Sequence, residues 1–150
     1  MFMSKNKTKF KYTGIKLLNC TNQNRLTKIF NDKHITLEFF DKTKTTEEVI
    51  NTINNLPLGK LVCIKVTEYG RYKNENTAAN VIFVTREIDK LFTGKIPHIT
   101  LNVKHNGKAV NSYKCFTGAG RTKPLVKTLY LWGEIGYFDY NNNFYTEPIK

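Results

Sequence analysis

Hydrophobic and polar positions alternate along much of this chain. A period of two marks a half-buried strand, because successive side chains leave opposite faces of the backbone. Over 33–40, His34, Thr36 and Glu38 share one face, and Ile35, Leu37 and Phe39 share the other. Over 96–104, His98, Thr100 and Asn102 oppose Ile99, Leu101 and Val103 in the same way. The pattern predicts further strands at 10–18, 60–69, 78–85 and 125–137. In the last of these, Tyr130, Trp132 and Glu134 oppose Leu129, Leu131 and Ile135. A turn over Asn141, Asn142 and Asn143 leads into a final short strand within 138–145.

Helical periodicity is confined to shorter stretches. Residues 43–56 carry Val49, Ile50, Ile53 and Leu56 as one apolar stripe. Thr45 or Thr46 can cap that helix, Glu47 and Glu48 suit the positive end of its dipole, and Pro57 and Gly59 end it. Short helices are predicted at 21–30 and 86–92, a polar loop at 70–77, and a glycine-rich loop at 117–124. That glycine-rich loop lacks the P-loop spacing. The first residues, 1–9, are polar and read as a frayed terminus.

Strands 33–40 and 96–104 contain the same four letters, His-Ile-Thr-Leu, one copy in each half of the chain. The predicted class is therefore α+β. Two lobes, about 10–70 and 78–146, are related by a pseudo-two-fold within a single domain of 1–150. Their curved antiparallel sheets, with flanking helices, surround a central groove across which the two His-Thr pairs face each other.

Composition narrows the partner. The chain has 150 residues, 40% of them hydrophobic, enough for one domain with a real core. Its formal charge of +12 points to a polyanion such as nucleic acid or a nucleotide, against the plainer reading of a lysine-solvated surface. Cys20, Cys63 and Cys115 are far apart and form no C-x-x-C, so neither a zinc site nor a disulfide framework is indicated. Cys63 and Cys115 read as buried apolar residues. No signal-peptide or membrane-spanning pattern is present, so a reduced, cytoplasmic setting is expected.

Two histidines on either side of a phosphodiester can cleave it without a metal. A neutral imidazole takes the proton of the attacking hydroxyl, and an imidazolium protonates the leaving oxygen. Threonine hydroxyls donate to the non-bridging oxygens where charge accumulates. His34, Thr36, His98 and Thr100 are the candidate catalytic residues. Two His and two Thr make a poor metal site, so no metal or other cofactor is expected. His105 precedes an Asn106-Gly107 turn, has no Thr two residues on, and reads as structural.

These paired His-x-Thr motifs resemble those of the 2H phosphoesterases. With the small size, the charge and the early Tyr12-Thr13-Gly14 strand, the chain is most similar to the phage anti-CBASS cyclic-oligonucleotide phosphodiesterases. The resemblance implies a bilobed α+β fold and cleavage of 3′-5′ bonds in cyclic oligonucleotide messengers, in the host cytoplasm. It also implies aromatic and acidic residues around the bases, for which Tyr12, Trp132 and Glu134 are candidates. Tyr12 reads equally well as a base-stacking ring or as an ordinary edge-strand aromatic. Tyr69 and Tyr72 flank a loop that can cap the groove, and Arg121 and Lys123 can attract phosphate. Two alternatives stand. One keeps the chemistry but acts on 2′,3′-cyclic phosphate RNA ends or 2′-5′ oligoadenylates. The other is a basic RNA- or nucleotide-binding module without catalysis.

Overall fold

The computed structural model describes residues 9–19 and 28–150. The predicted helix at 21–30 and the polar start of the chain fall largely outside the described residues, as does Cys20. In chain order the elements are β1 (Phe10–Leu17), β2 (His34–Phe39), α1 (Thr46–Asn54), β3 (Leu61–Tyr72) and β4 (Asn76–Phe83). A 3₁₀ segment (Arg86–Leu91), β5 (His98–Val103), a second 3₁₀ segment (Ala109–Phe116), β6 (Arg121–Asp139) and β7 (Phe144–Tyr145) follow.

The strands form one antiparallel sheet in the order β1-β2-β5-β4-β3-β6-β7, and β1 pairs with β6 as well. That last pairing closes six strands into a barrel, with β7 attached outside the ring. Two lobes and a central groove are therefore not what the chain builds, and the predicted α+β bilobed fold is overturned. The reason lies in the strand order. β3, from the first half, inserts between β4 and β6 of the second half, and β2 pairs with β5, so neither half has a sheet of its own. The 19-residue β6 is long enough to serve both β1 and β3, which removes the edge strands a lobed sheet would leave.

Alternation then sorts side chains into an inner and an outer set. Ile135, Ile15, Ile35, Ile99 and Ala79 are cross-strand neighbours around the ring, and all are fully buried. Leu17, Leu37, Val62, Ile64, Val66, Val81, Phe83 and Leu131 fill the rest of the interior. Tyr69 pairs with Ala79 and packs against this core.

α1 starts as its sequence indicates. The Thr45 hydroxyl accepts from the Glu48 N–H, and Glu47 and Glu48 occupy the first turn. Val49 and Ile53 pack with Phe40 and Tyr137 in a second apolar cluster. The region 70–77 is a tight hairpin rather than a loop. Lys73 and Asn74 both adopt positive φ, and Glu75 N–H donates to the Tyr72 carbonyl. Two positive-φ residues match the right-handed twist of the flanking strands. Tyr72 is buried beside Ala78 and Cys115. β6 begins at Arg121, so Arg121 and Lys123 are strand residues and not part of a phosphate-attracting loop.

Candidate functional site

β2 and β5 lie side by side, with Ile35 opposite Ile99. Antiparallel pairing about that point sets His34 opposite Thr100 and Thr36 opposite His98. Ile35 and Ile99 point into the barrel, so the four polar side chains emerge together on its outer face. The two motifs are thus neighbours within one sheet instead of partners across a groove. Lys16 and Gly14 of β1 flank His34 and Thr36, and Asn80 and Ala78 of β4 flank His98 and Thr100.

Gly14 makes that close packing possible. A Cβ there would lie 2.6 Å from the Ile35 carbonyl oxygen and 3.2 Å from the Phe138 ring. With no side chain in the way, three rings gather over the site. Tyr12 stacks on His34 with centroids 5.0 Å apart, Tyr12 stacks on Phe138 at 4.7 Å, and His34 and Phe138 are 5.1 Å apart.

The ring cluster sets the charge of His34. Burial, reinforced by the charges of His98, Lys11 and Lys33, pushes its pKa down to about 4. Burial also lowers His98, while the bond from its Nδ1–H to the Ile96 carbonyl oxygen, 2.7 Å, favours its charged form. That bond fixes the proton on Nδ1 and leaves Nε2 directed elsewhere. Both imidazoles are therefore neutral at pH 7 in the empty site. A positive charge on His98 would lower His34 further, in the same direction as burial. Lys11, Lys16 and Lys33 surround them with positive charge, which suits an anion.

Tyr12 does not offer a ring to a nucleobase. It is only 6% exposed, and burial raises its pKa to about 12. Its place is against His34, as a positioning residue that keeps the imidazole desolvated and oriented. Glu134 lies opposite Lys16, one strand removed from His34, and the two line a cleft of about 260 Å³ with Leu17, Leu18, Asn19 and Phe144. Trp132 lies two residues before Glu134 on β6, opposite Cys63 of β3 and with its carbonyl accepting from the Leu18 N–H just past β1, and is not brought to the quartet. Tyr69 turns into the barrel core and away from the site.

Two participants were missed by sequence reasoning. Phe138 reads from sequence as the start of a turn, yet it lies within β6 and contacts His34. Asn80 neighbours His98 through a pairing between β4 and β5 that no local pattern signals. Among the described residues, no three His, Cys, Asp or Glu side chains converge as a metal-ligand set. Among the same residues, no helix is long and apolar enough to cross a membrane. No protein-family model matches the chain, and no curated protein matches it either.

Proposed function

We propose that the protein is a metal-independent phosphodiesterase acting on ribonucleotide linkages, with the 3′-5′ bonds of cyclic oligonucleotide messengers as its substrate class. The observation that carries the reading is the register of β2 and β5. It sets two imidazoles and two hydroxyls on one cationic patch. The messenger class, and with it a role in countering CBASS defence, comes from the motif resemblance.

In the proposed reaction a ribose 2′-hydroxyl attacks the adjacent phosphorus. His34 accepts the hydroxyl proton, the P–O5′ bond breaks, and His98 in its charged form protonates the departing 5′ oxygen. The product is a 2′,3′-cyclic phosphate and a free 5′-hydroxyl. Roles divide this way because His34, held near 4, is neutral above that pH, whereas at His98 burial, which also lowers the pKa, is opposed by the Nδ1–H bond to Ile96, which favours the protonated ring. The phosphodiester's negative charge stabilises that protonated form on binding. Thr36 and Thr100 donate to the non-bridging oxygens.

The test is to incubate the protein with 3′,3′-cyclic GMP-AMP, with an RNA ending in a 2′,3′-cyclic phosphate, and with a 2′-5′ oligoadenylate, all in EDTA, and to separate products by chromatography. Cleavage of the cyclic dinucleotide, lost in His34→Ala, is the expected result. Preference for either of the others moves the substrate to RNA ends or 2′-5′ linkages. No turnover of any of them, or turnover only without chelator, overturns the proposal.

A further inference from the structure

β6 turns Tyr130 and Trp132 outward, 54% and 53% exposed. They are two residues apart on one strand face, so their rings are spaced roughly 6.5–7 Å along β6. On β3, Lys65 lies opposite Tyr130 and Cys63 opposite Trp132. β4 extends the surface, with Ile82 opposite Lys65 and Val84 bonded through its N–H to the Cys63 carbonyl. Ile82 and Val84 are 51% and 45% exposed. In the strand order, the β3–β6 pair lies across the barrel from the β2–β5 pair. Tyr130, Trp132 and Lys65 are therefore across the barrel from the His-Thr quartet, although the β4 edge of this face runs on to Asn80 beside His98, and the face accounts for Trp132, which the quartet leaves unused.

An open sheet face bearing two large rings implies an occupant. A second copy of the chain fits poorly. A two-fold contact centred here would bring Lys65 against Lys65, between two molecules of formal charge +12 each. An anionic partner is favoured by the same charges. Flat rings at one strand repeat, with a cation beside one of them, match a nucleic-acid single strand better than an acidic peptide. Every base has a π-face to stack, and the phosphates run alongside. We infer that the outer face of β6, β3 and β4 binds single-stranded nucleic acid, with Trp132 and Tyr130 stacking neighbouring bases and Lys65 contacting the backbone.

Trp132 is the chain's one tryptophan, so its emission reports this face alone. The probe is a thymidine oligodeoxynucleotide, which has no 2′-hydroxyl and is not a substrate for the reaction proposed above. Saturable quenching is expected, with affinity about tenfold weaker in Tyr130→Ala. Lys65→Ala should make the dependence of log K on log salt shallower by about 0.7, the share of one lost phosphate contact. By anisotropy of a labelled oligonucleotide, Trp132→Phe should bind nearly as wild type and Trp132→Ala about tenfold more weakly. His34→Ala should bind as wild type, which separates this surface from the quartet. Absent quenching overturns the inference, as does undiminished binding in Tyr130→Ala and Trp132→Ala. Equal quenching by polyglutamate, or a protein-concentration-dependent change in emission without oligonucleotide, also overturns it.

Discussion

His34 should make the fold sensitive to mild acid. Its pKa is about 4 in the folded chain against an ordinary 6.5, so the unfolded chain binds its proton more readily. Stability then rises with pH across the interval. The full contribution is present above about pH 6.5 and is lost progressively as pH falls toward 4. A difference of about 2.5 pK units, at about 1.36 kcal/mol each, gives about 3 kcal/mol, which is an upper figure. This is a large share of the stability of a small domain. His98 acts in the same direction, since burial lowers it too. The assay is urea unfolding at pH 7, 6, 5 and 4.5, for wild type and for His34→Gln, which has no titrating ring. Wild type should lose stability steeply over this range, and His34→Gln should show a clearly shallower slope whatever its absolute stability. Proton NMR of the His34 ring gives the pKa directly. A midpoint near 6.5, or parallel slopes for the two proteins, would refute the reasoning.

Further expectations follow from the same contacts. The kcat/KM profile of the proposed reaction should be bell-shaped and acidic. Its lower limb lies near pH 4, where His34 protonates, and its upper limb lies below 6.5, where His98 loses its proton. Thr36→Val and Thr100→Val, tested by steady-state kinetics with circular dichroism as the fold control, should each lower kcat about 10²–10³-fold. Gly14→Ala forces a Cβ toward the Ile35 carbonyl oxygen and should cost about 1–3 kcal/mol, read as a lower urea midpoint. Asp139 gives a second acid transition. Burial alone would raise its carboxyl, but bonds donated by the Asn143 and Asn141 N–H groups, the Asn143 amide and the Tyr145 hydroxyl hold it at about 2. Its contribution is present above about pH 4 and lost toward pH 2, so Asp139→Asn should flatten acid unfolding in that window.

Local alternation carried much of the fold. The two motif strands, their inward Ile and outward His and Thr, and the Thr45 cap of α1 are all legible in consecutive residues. The first 3₁₀ segment falls where a short helix is expected, and the Asn-rich turn is followed by β7. Pairing is another matter, because an alternating strand carries no local record of its neighbour. The duplicated tetrapeptide suggests two similar halves facing each other, and β5 instead sits directly against β2. The result still brings the four side chains together, by register within a sheet instead of by apposition of lobes. The second 3₁₀ segment, Ala109–Phe116, had no sequence signal, since its apolar spacing is too short for a period to emerge. Tyr12 and Phe138 could be assigned to the His34 environment only once β1, β2 and β6 were known to be adjacent.

The central claim is that His34 and His98 act as one catalytic unit, and a mutant cycle in EDTA tests it most directly. The rate of 3′,3′-cyclic GMP-AMP cleavage would be measured for wild type, His34→Ala, His98→Ala and the double variant. Each single variant should fall close to the uncatalysed rate, and the double variant should lose little more, because an acid and a base that work on the same bond are not additive. Cleavage that survives in the double variant would contradict the account, as would losses that simply multiply.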